Sequence, residues 1–393
     1  MNSHKGGENR VKDRPRPRVG TYRLVALLVA TGLLSASFQM LLPVVPIVLE
    51  SRGPYGIAGA GTATVFVGMV IAELATPWLL STIRPVTLLV FGAILTAVPS
   101  LLIALPVDSF VVLGAVAARG VGMGINVVVG VAMVMEHATP NRRGRSIGYI
   151  GLANGIPGIV FPPIGVALAD AGLAPAAVIA SFFISMLAAS VASLLWHEPR
   201  SESPSLAPLS SIRRPGIIRL VVALALVSST YGGLLTYAPV VLPTSGLNSA
   251  AVFFLIVGCT RAAGRWAAGT LGDHYSVHII VALSLVLAAG GLVALSDTSP
   301  GRIVFGAVAF GLGSGAIQSC TYLLMASKTL PAEWNTVSAL WNASIDVGSA
   351  FGGGLMGLTA SRYGFAAGLW EGPIAIAAAV IFIYAWRPKA AQV

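Results

Sequence analysis

Apolar residues run along this chain in blocks of about 20, the length an α-helix needs to cross the hydrocarbon layer of a bilayer. Short polar, glycine- or proline-bearing turns separate the blocks. The pattern predicts spans at 22–49, 58–80, 86–106, 109–135, 146–169, 175–196, 218–243, 249–271, 278–296, 302–326, 336–361 and 366–386. The runs are continuous rather than alternating at period two, which excludes the short strands of a membrane β-barrel. One interior stretch departs from the pattern. From His197 to Arg219 it reads HEPRSESPSLAPLSSIRRPGIIR, with Pro199, Pro204, Pro208 and Pro215. Prolines at that density forbid a continuous helix, and so few large apolar side chains cannot build a core. The stretch is expected to be a linker. The organisation that follows is a polar tail over 1–21, a six-helix bundle over 22–196, a linker over 197–217, a second six-helix bundle over 218–386 and a tail over 387–393. The fold class expected is an all-α polytopic membrane protein of 12 transmembrane helices in two pseudo-symmetric bundles.

Composition agrees. The chain is 56% hydrophobic and 10% charged, with mean hydropathy +0.85, whereas soluble domains carry roughly 25% charged residues. A water-soluble globule is excluded. The net charge of +10 would suggest nucleic acid in a soluble protein, but here its placement matters more than its sum. With the N-terminus inside, Arg52, Arg302 and Arg362 are the basic residues left outside, and Arg119, Arg261 and Arg265 fall within spans; every other lysine and arginine lies on the cytoplasmic side. That positive-inside bias supports an even number of crossings and a plasma (inner) membrane protein with both termini cytoplasmic. The basic N-terminus before an apolar run mimics a signal peptide. Leu24 to Leu49 is too long for a cleaved core and ends in no small-residue cleavage site, so it is read as the first span. Cys259 and Cys320 both lie inside spans and suggest neither a disulfide framework nor a metal site.

The two halves repeat. Gly120, Gly122 and Gly124 in span 4 recur 191 positions on as Gly311, Gly313 and Gly315 in span 10. Gly165 and Gly172 recur 192 positions on as Gly357 and Gly364, an alignment that sets Asn154 opposite Asp346. A six-span repeat is the mark of a transporter with a pathway between two bundles. The glycines by themselves need mean no more than close helix packing.

Three local patterns then resemble the major facilitator superfamily, over essentially residues 22–387. GTLGDHY, Gly269 to Tyr275 with Leu271 as its third residue, is similar to that superfamily's signature in the turn between helices 8 and 9. Gly269 would allow close packing there, and Asp273 could bind the free N–H groups of the next helix. The matching turn between helices 2 and 3 is degraded, with Thr76 and Leu80 where Gly and Asp would stand. Arg119 followed by Gly122 resembles the family's arginine–glycine motif. Gly158-Ile-Val-Phe-Pro162-Pro163-Ile-Gly165 resembles its antiporter motif, with Phe161 in place of the expected glycine. PNRRGR at 140–145 and SALWNASIDVG at 338–348 further resemble bacterial efflux permeases of the drug or metabolite:proton antiporter type.

Charges in lipid cost about 2.5–3.5 kcal/mol each at mid-bilayer unless paired or wet, so those within spans are the candidate chemistry. Arg119, Arg261 and Asp346 fall near the midplane, Glu73 and Arg265 nearer the cytoplasm, and the five histidines all map to the cytoplasmic side. Glu73 and Asp346 are the carboxylates expected to carry a coupling proton, with Arg119 as counter-ion; the alternative is a fixed ion pair that holds the bundles together. The resemblance puts helices 2 and 11 side by side where the halves meet. Arg261 and Arg265, one turn apart, share a face and repel. Something negative should lie beside them: Asp346, Asp273 for the lower arginine, or an anionic substrate. The resemblance also lines the cavity with helices 1, 4, 7 and 10, which nominates Gln39, Met40, Asn126, Tyr231, Tyr237, Gln318 and Tyr322, together with Asn154, and with Trp341 and Asn342 from helix 11. Rings with few polar groups suit a mixed, partly apolar ligand, although any one of them could equally face lipid or a neighbouring helix.

The function expected is secondary active transport, proton-coupled export of a small organic molecule by alternating access. The alternative is a transporter of a small organic or inorganic anion, in either direction, with Arg119 and Arg261 as its clamp. A non-transporting receptor on the same fold would have no need of charges in lipid. An enzyme is not expected, since no nucleophile–base set, metal spacing or phosphate loop appears and GVGMG at 120–124 lies mid-span. Small-molecule substrate, protons and lipid are the partners expected of a monomer, with no cofactor and no nucleic acid.

Overall fold

A computed structural model describes residues 21–137, 143–196, 214–242, 246–247, 249–272, 274–330 and 333–385. Among these the regular structure is helical throughout. The N-terminal tail, the linker at 197–213, the first three residues of the 140–145 loop (PNR), Asp273 and the C-terminal tail lie outside the described residues.

The helices are α1 (Thr21–Leu41, continued as Val44–Arg52), α2 (Ala58–Thr82), α3 (Pro85–Ala97 and Leu101–Ala104), α4 (Ser109–His137), α5 (Arg143–Asp170), α6 (Ala174–Ser193), α7 (Pro215–Val241), α8 (Ala250–Leu271), α9 (Val277–Ala294), α10 (Pro300–Ala326), α11 (Trp334–Tyr363) and α12 (Phe365–Gly368 and Glu371–Val380, ending in a π-turn over Ile381–Ala385). Their ends fall within about one turn of the predicted spans. Eleven are long and apolar enough to cross a membrane. The other, α11, has 30 residues but carries Asn342, Ser344, Asp346 and Ser349, and it packs chiefly against α7 and α2. Proline sets the breaks. Pro43 lacks an N–H and its ring crowds the preceding turn, which divides α1. Pro157, Pro162 and Pro163 are all absorbed within α5, which stays helical.

α1 to α6 pack on one another and α7 to α12 do likewise, with α4 and α10 in matching central roles. A β-carbon on Gly120 would lie 2.0 Å from the Val65 carbonyl oxygen, and one on Gly124 2.5 Å from that of Met69, so α4 meets α2 backbone to backbone. Gly122 does the same against Gly92 of α3. In the second half Gly311 and Gly315 press on Thr260 and Arg261 of α8, and Gly313 on Ser284 of α9. Membrane helices associate through such close approach because lipid offers no hydrophobic drive between them. The contacts also establish a register between α2 and α8. Met69 and Arg261 occupy the same place in the two halves, and four residues on, Glu73 is matched by Arg265.

The halves meet along α2–α11 and α5–α8. We call the face where α1 begins proximal and the opposite one distal. The tight cross-half contacts are distal: Gly59 lies against Gly353 and Gly357, Gly258 against Ile159, the Tyr55 and Phe365 rings meet edge to face, and Thr236 Oγ1 donates to Thr62 Oγ1 at 2.8 Å. Towards the proximal face Gly148, Gly151 and Gly155 of α5 and Gly269 of α8 have nothing within 4 Å of a β-carbon position. Among the described residues the tight contacts between the halves therefore lie towards the distal face.

Candidate functional site

Arg119 lies mid-helix in α4 and is 2% exposed. Its Nη1 donates to the Thr96 carbonyl (2.9 Å) and to Ser181 Oγ (3.3 Å), and its Nη2 to the Ser37 carbonyl (3.2 Å). Ser37 Oγ in turn donates to the Ser181 carbonyl at 2.8 Å, and Ser185 Oγ to Ser37 Oγ at 2.6 Å. One guanidinium thus ties α1, α3, α4 and α6 together. The space beside it is about 10 Å³, no more than one water needs. In this structure backbone carbonyls and a serine surround Arg119, and neither Glu73 nor Asp346 is among its partners; we propose that it holds the first bundle together and is neither counter-ion nor substrate clamp. Arg119→Met should remove three hydrogen bonds, each worth about 0.6–1.7 kcal/mol in a membrane protein. The expected result is a lower unfolding midpoint in detergent, with the transport rate per folded molecule kept. A lost rate at an unchanged midpoint would give Arg119 a functional role after all.

Glu73 and Asp346 meet at the junction of the halves, their carboxyls at hydrogen-bonding range across the α2–α11 contact. Asp346 is 8% exposed, and Glu73 Oε1 is buried with no hydrogen-bond partner. Local packing aims them at each other. The β-carbon of Ala72 is pressed on by Gly124 of α4, and a step of one residue turns a helix by about 100°, so Glu73 faces away from α4. Gly348, two residues past Asp346, seats α11 against the Ala225 carbonyl of α7. Both groups are acceptors when ionised, so a hydrogen bond between them requires one proton held by the pair.

The second half holds a different cluster. The Arg261 guanidinium lies over the Tyr231 ring, 4.2 Å from its centroid, and Arg261 Nε is buried without a hydrogen-bond partner. One turn on, Arg265 donates through Nε to Gln318 Oε1 at 2.9 Å and through Nη2 to the same oxygen. The Gln318 carbonyl accepts Trp341 Nε1–H at 3.1 Å, and Trp341 meets Tyr322 edge to face at 5.8 Å. Asp346 is turned to Glu73 instead of these arginines, and Asp273 lies outside the described residues.

The remaining nominated residues divide. Gln39, Asn154 and Asn342 are half-buried; Asn154 Nδ2 donates to the Ile150 carbonyl (3.1 Å) and Asn342 Nδ2 to that of Ser338 (3.0 Å). Met40, Asn126 and Tyr237 are 2%, 6% and 3% exposed and lie among neighbouring helices in this structure. The Met40 carbonyl abuts Gly165 of α5, and Asn126 Nδ2 bonds back to the Gly122 carbonyl at 3.0 Å. Gly165 is needed for close approach, whereas Gly158 has only the end of Gln39 near it. Pro162 is buried inside α5. Among the described residues nothing lies within 4 Å of a β-carbon position on Gly269, and Leu271 is exposed. A third span carboxylate escaped the sequence reading. Glu371 of α12 accepts a hydrogen bond from Thr359 Oγ1 in the wall of an apolar cavity of about 270 Å³ between α7, α9, α11 and α12. The signal was a lone acid inside an apolar run, overlooked because it stands near the start of its helix.

Comparison with known proteins fits this geometry. The family model described as Major Facilitator Superfamily matches residues 27–329. No curated protein matches. Among solved structures, a bacterial homologue of the human lysosomal transporter Spinster, inward-facing and unoccupied, superposes with TM-score 0.72 at 13% identity, covering 93% of this chain and 95% of that one. A POT family transporter in complex with 5-aminolevulinic acid superposes with TM-score 0.75 at 11% identity, covering 93% and 97%. At such identities the likeness is one of fold, but the family match spans most of the chain, from the first crossing to the end of α10: the protein belongs to the Major Facilitator Superfamily and is a multi-pass membrane transporter.

Proposed function

We propose that the protein exports a small organic molecule in exchange for protons by alternating access, with Glu73 and Asp346 as the proton-carrying pair. One observation carries this reading. Two carboxyls from opposite halves face each other at the seam along which the halves must move, so rocking alters the contact that holds their proton. With the distal side closed, the pair shares a proton and the seam is tight. Exchange requires that the pair give up this proton to the proximal side before cargo loads there, and take one up again from the distal side once α2 and α11 have parted. The excess of lysine and arginine near the chain ends and in the proximal loops supports a cytoplasmic proximal face in the plasma (inner) membrane. In that orientation the closed-distal form is the inward-facing one, ready to load from the cytoplasm.

The test is transport in proteoliposomes under an imposed pH gradient, screened over cationic, neutral and anionic compounds. Gradient-driven movement of at least one class, abolished by a protonophore, is the expected result. Transport indifferent to both gradient and protonophore would sink the proposal.

A further inference from the structure

The arginines of α8 are not used by the carboxyl pair. Arg261 and Arg265 stand one turn apart, where like charges repel, and among the described residues the groups on them are neutral: the Tyr231 ring and hydroxyl, the Gln318 amide and the Ser319 hydroxyl, which donates to the Arg265 carbonyl. The Arg261 Nε–H, buried and without an acceptor, is the telling atom. A guanidinium N–H turned inward with nothing to bond to is costly unless an acceptor arrives during the working cycle. Arg265 offers two N–H groups to a single neutral oxygen, that of Gln318, which a carboxylate could replace as a stronger, bidentate acceptor. The position is central. Arg265 is the second-half counterpart of Glu73, and Gly258, one turn before Arg261, touches Ile159 of the other half. Next to the cations stand Tyr231, Tyr322 and Trp341, the last tied to Gln318.

We propose that the transported molecule is an organic anion: a carboxylate bound between Arg261 and Arg265, on an apolar or aromatic body received by Tyr231, Tyr322 and Trp341. Resting on the transporter reading above, this names its substrate class and assigns cargo and proton to separate places, the arginines of α8 and the α2–α11 seam. Arg119 has no part in it, since its N–H groups are bonded to carbonyls and a serine.

The experiment is binding to purified protein in lipid-free detergent, with no gradient present, so the result does not depend on proton coupling. Dissociation constants come from thermal-stabilisation titrations with benzoate, naphthoate and octanoate, the corresponding amides, benzylamine and inorganic phosphate. At least one carboxylate is expected to stabilise the protein, with its amide and benzylamine inert. Arg261→Gln and Arg265→Gln should each weaken that carboxylate about ten- to a hundredfold, and Arg261→Lys should recover part of the loss. Unliganded unfolding midpoints show that each variant is folded, and two independent positions guard against one failing. Equal binding of acid and amide, a preference for benzylamine, no response to any carboxylate, phosphate as the sole ligand, or undiminished affinity in both glutamine variants would each overturn the proposal. Binding as expected without gradient-driven transport would retain this assignment and remove the proton reading; the reverse pattern would do the opposite.

Discussion

Glu73→Gln and Asp346→Asn are each expected to abolish accumulation against a gradient while leaving exchange of substrate across the membrane. The amide has nearly the volume of the acid and can still hydrogen-bond to the remaining carboxyl, so the α2–α11 seam should close as before. An amide cannot take up or give up a proton, and the step that links proton movement to rocking disappears. In proteoliposomes the gradient-driven accumulation ratio should fall to about one, a larger effect than any expected at the cavity wall, because the driving force itself is lost rather than an increment of about 1.4 kcal/mol per tenfold in rate. Counterflow of labelled against unlabelled substrate should continue, and the dependence of rate on pH should flatten in both variants. If each kept full proton-driven accumulation, the pair would be a structural contact between bundles and nothing more.

A second large effect is expected from locking the distal seam. Thr62 and Thr236 come from opposite halves, are buried, and place their hydroxyl oxygens 2.8 Å apart. Sulfurs in those positions need only a small approach to reach the roughly 2.0 Å of a disulfide. In a background with Cys259 and Cys320 replaced by serine, Thr62→Cys combined with Thr236→Cys should lose transport by more than about tenfold on oxidation and regain it with a thiol reductant, since alternating access requires that this end open. Neither single variant should respond to oxidant. Full transport by the oxidised double variant would show that the distal contact need not break, and the rocking picture would fall with it.

The two sites differ in how much of them can be read from the chain. That Glu73, Arg119, Arg261, Arg265 and Asp346 stand in lipid follows from counting residues along apolar runs. Their partners do not follow. Arg119 was matched with a carboxylate because opposite charges are the partners a sequence displays; its actual partners, the carbonyls of Ser37 and Thr96, are atoms every residue possesses. Met40 and Asn126 were placed in the cavity by helix number, yet each turns to a neighbouring helix, which depends on the rotation of α1 and α4 about their own axes. Gly269 has the composition of a close contact, but no described residue lies within 4 Å of its β-carbon position.

Twelve crossings, a shared orientation of their basic ends and a duplicated glycine pattern are written in the order of residues, because each answers to the bilayer or to the nearest turn of its own helix. Which carboxyl faces which, where Arg119 spends its donors and which groups lie beside the arginines of α8 depend on four or more helices converging, and no local run of residues encodes that convergence. Lipid acts on one helix at a time, whereas hydrogen bonds between helices exist only once the bundles have assembled.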